Sequence, residues 1–172
     1  MFDQRDMDKF QIFYDKESAA AVPSIKEALN DTFGIEICEE LHLDAAEVKD
    51  AYNANKRQYN ASKLLKYLIQ STSKLRSNED SVSLWILSDD LYVPGMNFVF
   101  GVAHPGKAAV LSTHRLESLD LINKEAIHET GHVLGLQHCT NDCVMQFSNS
   151  LYEAKAKPAT LCERCRSLVT FL

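Results

Sequence analysis

The period of the apolar residues changes several times along the chain, and those changes predict its elements. Phe10 to Tyr14 (FQIFY) is an apolar run flanked by charge, which reads as a strand. Pro23 then opens SIKEALNDTF, where Ile25, Ala28 and Leu29 share one helical face and Gly34 supplies the stop. Ile35 to Cys38 reads as a second short strand, with Cys38 as a small buried hydrophobe. Behind an Asn60 cap, the run NASKLLKYLIQSTSKL sets Leu64, Leu65, Leu68 and Ile69 at helical spacing, a second helix. Ser81 to Leu87 (SVSLWIL) alternates β-forming residues as a third strand, and DDLYVPG reads as a turn. Asn97 to Ala103 (NFVFGVA) is the fourth strand, and its internal Gly101 marks a bulge or a close backbone approach, as suits a sheet edge. HPGK turns the chain into a fifth strand, AAVLST, and SLDLINKEAIHETGHVLG forms a third helix.

Strands alternating with helices predict an α+β fold, a mixed five-stranded sheet with three main helices against it. A chain of 172 residues with 45% hydrophobic content suits one domain, residues 1–172. The net charge of -6 is scattered, with no basic stripe to neutralise a phosphate backbone, so nucleic acid is not an expected partner. No stretch approaches the roughly 20 apolar residues of a membrane span, and the charged start MFDQRDMDKFQIFYD lacks the apolar run of an export signal. The expected protein is cytoplasmic, monomeric and away from membranes.

Chemistry is concentrated in the third helix. His128 and His132, four residues apart, share a face and can direct imidazole nitrogens at one ion. Glu129 falls one position round from that face, close enough to take a proton from a metal-bound water without ligating. Gly135 stands where the helix must break for His138 to return to the metal, and glycine adopts the left-handed backbone this needs. Three His ligands leave a coordination position open, the mark of a catalytic zinc site.

Four of five cysteines cluster late in the chain: Cys139 and Cys143, then Cys162 and Cys165. In a reducing compartment this spacing points to a metal in preference to disulfides, and four thiolates close a tetrahedral shell, so the role is structural. An iron–sulfur cluster would use the same ligands. His42, His104 and His114 have no ligand spacing and read as ordinary surface or hydrogen-bonded histidines.

The run HETGHVLGLQH, followed by CVM, resembles the metzincin clan of zinc peptidases, with Met145 as the hydrophobic floor beneath the histidines. HETGHVLGLQHC, CVM and CERC together resemble the archaemetzincins, and AYNANKRQYNASKLL, DDLYVPGMNFVFG and STHRL extend the likeness over most of the chain. The Cys139–Cys143 interval is one residue shorter than the family pattern. This resemblance implies a metzincin-like zincin fold with an N-terminal subdomain, residues 1–135, a small C-terminal subdomain, residues 136–172, and a substrate cleft between them lined by an edge strand. It implies two zinc ions, one catalytic and one bound by four cysteines, and a peptide or protein substrate. Phe147 occupies the position where some metzincins carry an oxyanion-steadying Tyr, and Tyr152 is the nearest replacement. The leading expectation is thus a zinc peptidase using Glu129 as general base. Its rival is a zinc-bound peptide-binding or regulatory module on the same fold with weak or absent hydrolysis.

Overall fold

The computed structural model describes residues 10–75 and 81–170; the charged start, residues 1–9, lies outside them. Five strands form the main sheet in the order β2-β1-β5-β9-β8: β1 (Phe10–Tyr14), β2 (Ile37–His42), β5 (Val82–Leu87), β8 (Gly101–His104) and β9 (Ala108–Ser112). Four run parallel, and β8 pairs antiparallel with β9 at one edge. The sheet is therefore mixed, five-stranded and edged by the strand after Gly101, as expected.

Both faces of this sheet are covered, which explains why its central strands read as unbroken apolar runs. All six residues of β5 and all five of β9 are buried. Leu84, Ile86, Ala109 and Leu111 face a core shared with α1 (Val22–Phe33) and α3 (Leu119–Val133). Trp85, Leu87 and Val110 alternate to the opposite face, against Leu64 and Leu68 of α2 (Ala61–Leu75). Trp85 Nε1 donates to the Leu43 carbonyl at 3.0 Å, so the one polar atom of the largest core side chain is satisfied.

Local signals hold at the helix ends. Gly34 caps α1 at φ 69°, its N–H donating to the Asn30 carbonyl. Asn60 Oδ1 accepts from the Lys63 N–H at 3.2 Å, and Ser118 Oγ accepts from the Leu121 N–H at 3.3 Å where α3 begins.

Four sequence expectations need correction, the first being the second strand, which runs from Ile37 to His42 and not from Ile35 to Cys38. DDLYVPG is not simply a turn: Leu91–Val93 is β6, paired antiparallel with β7 (Met96–Val99) through a Pro94-Gly95 turn, with Gly95 at φ 88°. The expected strand from Asn97 to Ala103 breaks at Phe100 into β7 and β8, which belong to different sheets. β7 joins a second, four-stranded sheet, β3-β4-β6-β7, with β3 (Tyr52–Asn53) and β4 (Gln58–Asn60). Cys38 is exposed, because β2 is the outer strand of the main sheet and most of its side chains are open to solvent. Two short helices, α4 (Leu151–Ala156) and α5 (Glu163–Thr170), complete the C-terminal segment. Among the described residues, no helix is long and apolar enough to cross a membrane.

Candidate active site

α3 carries its chemistry on the face turned away from solvent. His128 and Glu129 are each 5% exposed, and His132 is half-buried one turn later. The helix ends at Gly135, whose φ of 96° turns the chain while its N–H donates to the His132 carbonyl. A Cβ there would meet nothing within 4 Å, so the left-handed backbone, not crowding, calls for glycine. The returning chain brings His138 opposite the other two rings, with centroids 4.7 Å from His132 and 5.4 Å from His128.

Tautomers follow from partners. His128 Nδ1 lies 2.9 Å from the Val144 carbonyl and His132 Nδ1 lies 2.7 Å from the Leu136 carbonyl. A carbonyl only accepts, so both Nδ1 atoms donate and both Nε2 atoms carry bare lone pairs. Those two Nε2 atoms stand 3.1 Å apart. Neutral acceptors at that distance repel unless a cation lies between them. Tetrahedral zinc with Zn–N bonds of about 2.0–2.1 Å would space them by about 3.3 Å. One nitrogen from each of His128, His132 and His138 falls within 4.8 Å of the others, so the donor set fits a metal ion. Burial holds His128 neutral and pushes its pKa down to about 2, with the nearby Lys157 ammonium adding to the shift.

Glu129 lines the same cleft, and burial followed by the neighbouring Glu125 carboxylate pushes its pKa up to about 8, against an opposing pull from Lys157. Strand β8 presses on it: a Cβ at Gly101 would lie 2.6 Å from the Val110 carbonyl oxygen and 2.8 Å from Cγ and Cδ of Glu129. The expectation of a close backbone approach at Gly101 is thus met, with Glu129 as the neighbour. Met145 is fully buried, and its Sδ would lie 2.5 Å from a Cβ at Gly131, directly under the helix turn between His128 and His132.

The four cysteine sulfurs also converge within 4.8 Å of one another, with Cys139 and Cys162 Sγ 3.8 Å apart. Zn–S bonds of about 2.3 Å in a tetrahedron give a spacing of about 3.8 Å. Main-chain N–H groups already point at the sulfurs, from Met145 and Cys162 to Cys143 Sγ and from Cys165 to Cys162 Sγ. The Cys165 N–H and the Asn141 amide bring the Cys162 thiol down to about 6, while burial raises Cys143 and Cys165. Four thiolates held this close repel one another, and a cation between them would offset that repulsion.

The cleft is about 380 Å³. One wall is β7, Phe100 and β8, and the other is the α3 face with His138 and Phe147. Phe147 meets His138 edge-on at 5.2 Å. Tyr152 does not replace it: it is 81% exposed on α4 and does not line the cleft. His42, His104 and His114 stand outside both clusters. Sequence reasoning missed Glu125 and Lys157, a buried ion pair at 2.9 Å beneath the cleft. Glu125 was legible as the residue one turn before Glu129, whereas nothing local marked Lys157.

A histidine pair on one helix, a third histidine returning past a left-handed glycine and a buried methionine under the turn together define a metzincin-type metallopeptidase. Residues 26–170 match peptidase family M54, and the chain belongs to that family, the archaemetzincins, which are zinc metallopeptidases. The archaemetzincin of Nanoarchaeum equitans is 41% identical over 142 residues, covering 82% of this chain and 78% of that one. The crystal structure of archaemetzincin from Methanopyrus kandleri superposes with a TM-score of 0.81 at 31% identity, covering 99% of this chain and 98% of that one. A zinc-dependent peptidase from Methanocorpusculum labreanum gives a TM-score of 0.78 at 25% identity, covering 93% and 99%.

Two outcomes follow from the crowding and burial of Glu129. Gly101→Ala should lower stability by about 1–3 kcal/mol in a thermal melt, because the added methyl must displace β8 or Glu129. It should also reduce kcat/KM by about tenfold or more, since small misplacements near reacting atoms are costly. The second outcome concerns the chelator-treated protein. The Glu129 carboxyl is raised from 4.5 to about 8, so the folded state binds its proton more tightly than the unfolded chain. That contribution to stability is fully present below pH 4.5 and is lost as pH rises through about 8. Metal-free Glu129→Gln should therefore melt close to metal-free wild type near pH 5 and above it near pH 8, as read by melting curves at both values.

Proposed function

We propose that this chain hydrolyses peptide bonds at a zinc held by His128, His132 and His138, with Glu129 as general base and then general acid. The observation that carries this reading is the pair of bare Nε2 lone pairs 3.1 Å apart, beside a buried carboxylate in an open cleft. Zinc bound there would lower the pKa of a coordinated water towards about 7 and polarise the substrate carbonyl. Glu129 takes the proton released as the carbonyl carbon is attacked and passes it to the departing amine nitrogen. A pKa near 8 in the metal-free site favours the second half of that cycle, and a cation alongside would favour the first. Phe147 offers no O–H, and a zinc ion held by the three histidines would supply the oxyanion stabilisation that a tyrosine there could have given.

Substrate binding is assigned to β8, the free edge of the main sheet, which can extend its ladder onto a peptide drawn out along the cleft. Phe98, Phe100 and Phe147 on the cleft walls suit a peptide with large apolar side chains near the scissile bond. Cys139, Cys143, Cys162 and Cys165 are assigned a second, structural zinc that organises residues 136–172 as a small C-terminal subdomain, with Gly135 and Met145 as supporting residues at its junction with α3. Thiols converging without disulfides suit a reducing compartment such as the cytoplasm.

A peptide-library cleavage profile tests the enzyme reading. Wild type should cut, and both Glu129→Ala and chelator-treated protein should lose cleavage by about a hundredfold or more. A wild type that binds peptides from the library yet cuts none would point to a binding module instead.

The cysteine cluster reaches the histidines through main chain. The Val144 N–H donates to the Thr160 carbonyl at 2.9 Å, close before Cys162, and the Val144 carbonyl accepts from His128. Cys162→Ser should accordingly weaken zinc retention at the histidines by about 10–100-fold, the usual scale for an outer-shell disturbance. Chelator competition measures it, and unchanged retention with unchanged melting would refute the coupling.

A further inference from the structure

Glu125, His128, Glu129 and His132 share one face of α3, and all four line the cleft. The proposed chemistry uses one carboxylate beside the metal, and this face carries two, one helical turn apart. Glu125 is not available to the cleft in the way Glu129 is. Its Oε1 lies 2.9 Å from Lys157 Nζ, with the two side chains only 3% and 1% exposed.

We propose that Lys157 and Glu125 are positioning residues of the catalytic metal site. Their ion pair holds the chain behind His128 in register with α3, and it keeps the second carboxylate of the cleft face off the reacting centre. This rests on the assignment of His128, His132 and His138 as the catalytic ligands.

Adjacent residues of α3 grip residue 157 at two points. Lys124 Nζ donates to the Lys157 carbonyl at 2.7 Å, and to the carbonyls of Ala154 and Lys155 at 3.0 and 3.2 Å. Glu125 takes the Lys157 ammonium. Backbone and side chain are thus held from one helix, which leaves Lys157 little freedom to pivot. Its Nζ stands 3.3 Å from His128 Nδ1. That Nδ1–H is already committed to the Val144 carbonyl, so the ammonium only packs against the ring there; it lies against Glu125 Oε1 as an ion pair and donates to the Gln146 carbonyl at 3.4 Å.

Apolar packing seats the segment as a whole, through Val144, Met145, Ala154 and Leu161 in the main core, but it does not set the direction of the residue 157 side chain. A fully buried ion pair is also a weak source of net stability, because an apolar pair of similar size often serves the fold as well. What an apolar pair cannot do is fix direction, by tying a carboxylate on the ligand helix to an ammonium beside a ligand ring. Without Lys157, the Glu125 carboxylate becomes a competing anion one turn from Glu129.

Full-length wild type, Lys157→Met and the double variant Lys157→Met with Glu125→Gln test the proposal. Cobalt(II) at the histidines is followed by its d–d absorption, without the thiolate charge-transfer band that marks the cysteine cluster. The double variant should fold, because no bare charge is left buried, yet bind cobalt at the histidines about 10–100-fold more weakly and with an altered d–d spectrum. Its kcat should fall by a similar factor while KM stays within about threefold. Lys157→Met alone should show the same changes, with a lower melting temperature. A double variant that melts like wild type and keeps wild-type cobalt affinity, spectrum and kcat overturns the proposal. If the double variant does not fold, Lys157→Met with Glu125→Leu, a wholly apolar pair of similar size, carries the same readings. A wild type that takes up no cobalt at the histidines would instead remove the ligand assignment itself, a failure distinguishable from the first.

Discussion

The Nδ1–H groups of His128 and His132 each donate to a main-chain carbonyl, and in doing so they leave two bare Nε2 lone pairs facing each other at 3.1 Å. Those two bonds determine which ring nitrogens can ligate, and they set the orientation of both rings before any ion arrives. Their acceptors come from different places. Leu136 lies just past the end of α3, where Gly135 has turned the chain, and Val144 lies in the segment between the two cysteine pairs. The site therefore depends on a helix terminus and on a distant piece of chain being held at hydrogen-bond distance.

That distant piece is seated by Val144 and Met145, both buried in the main core, and by further contacts around them. The helices α4 and α5 are short, and α4 buries a single alanine. Three other connections hold the C-terminal segment: convergence of the four cysteine sulfurs, Met145 seated under Gly131, and the Lys124 and Glu125 contacts to residue 157. Each meets α3 or its continuation within a few residues of a histidine. The arrangement resembles a clamp whose second jaw adds these polar and sulfur contacts to the burial of Val144, Met145 and Leu161 in the main core.

The opposite wall is governed by space. β8 can reach Glu129 only because residue 101 has no side chain, and it is at this residue that the chain, having left β7, enters the main sheet. One strand edge consequently lies beside the carboxylate, while the apolar hairpin of β6 and β7 borders the cleft. Arg115 steadies this hairpin by stacking on Phe98 at 4.1 Å while its guanidinium pairs with Asp90. Such bracing gives the wall a fixed shape before substrate arrives.

Much of this was legible along the chain because it depends on near neighbours. Helical spacing put His128, Glu129 and His132 together, the glycine at 135 marked the break, and apolar runs bounded by turns located β1, β5 and β9 while only overlapping β2 and β8. Other features depended on partners far away in sequence. A stretch read as a turn became β6 because β7 and β4 were there to pair with it, and Cys38 faces solvent because its strand lies at the sheet edge. The amino-acid sequence by itself determined the donor types, their spacing on α3 and the class of chemistry. Only the tertiary structure decided which ring nitrogens are bare, what presses on Glu129 and which lysine meets Glu125. Spacing within a helix is set by local backbone geometry, whereas tautomers, crowding and buried charge pairs are set by groups that folding brings together from remote parts of the chain.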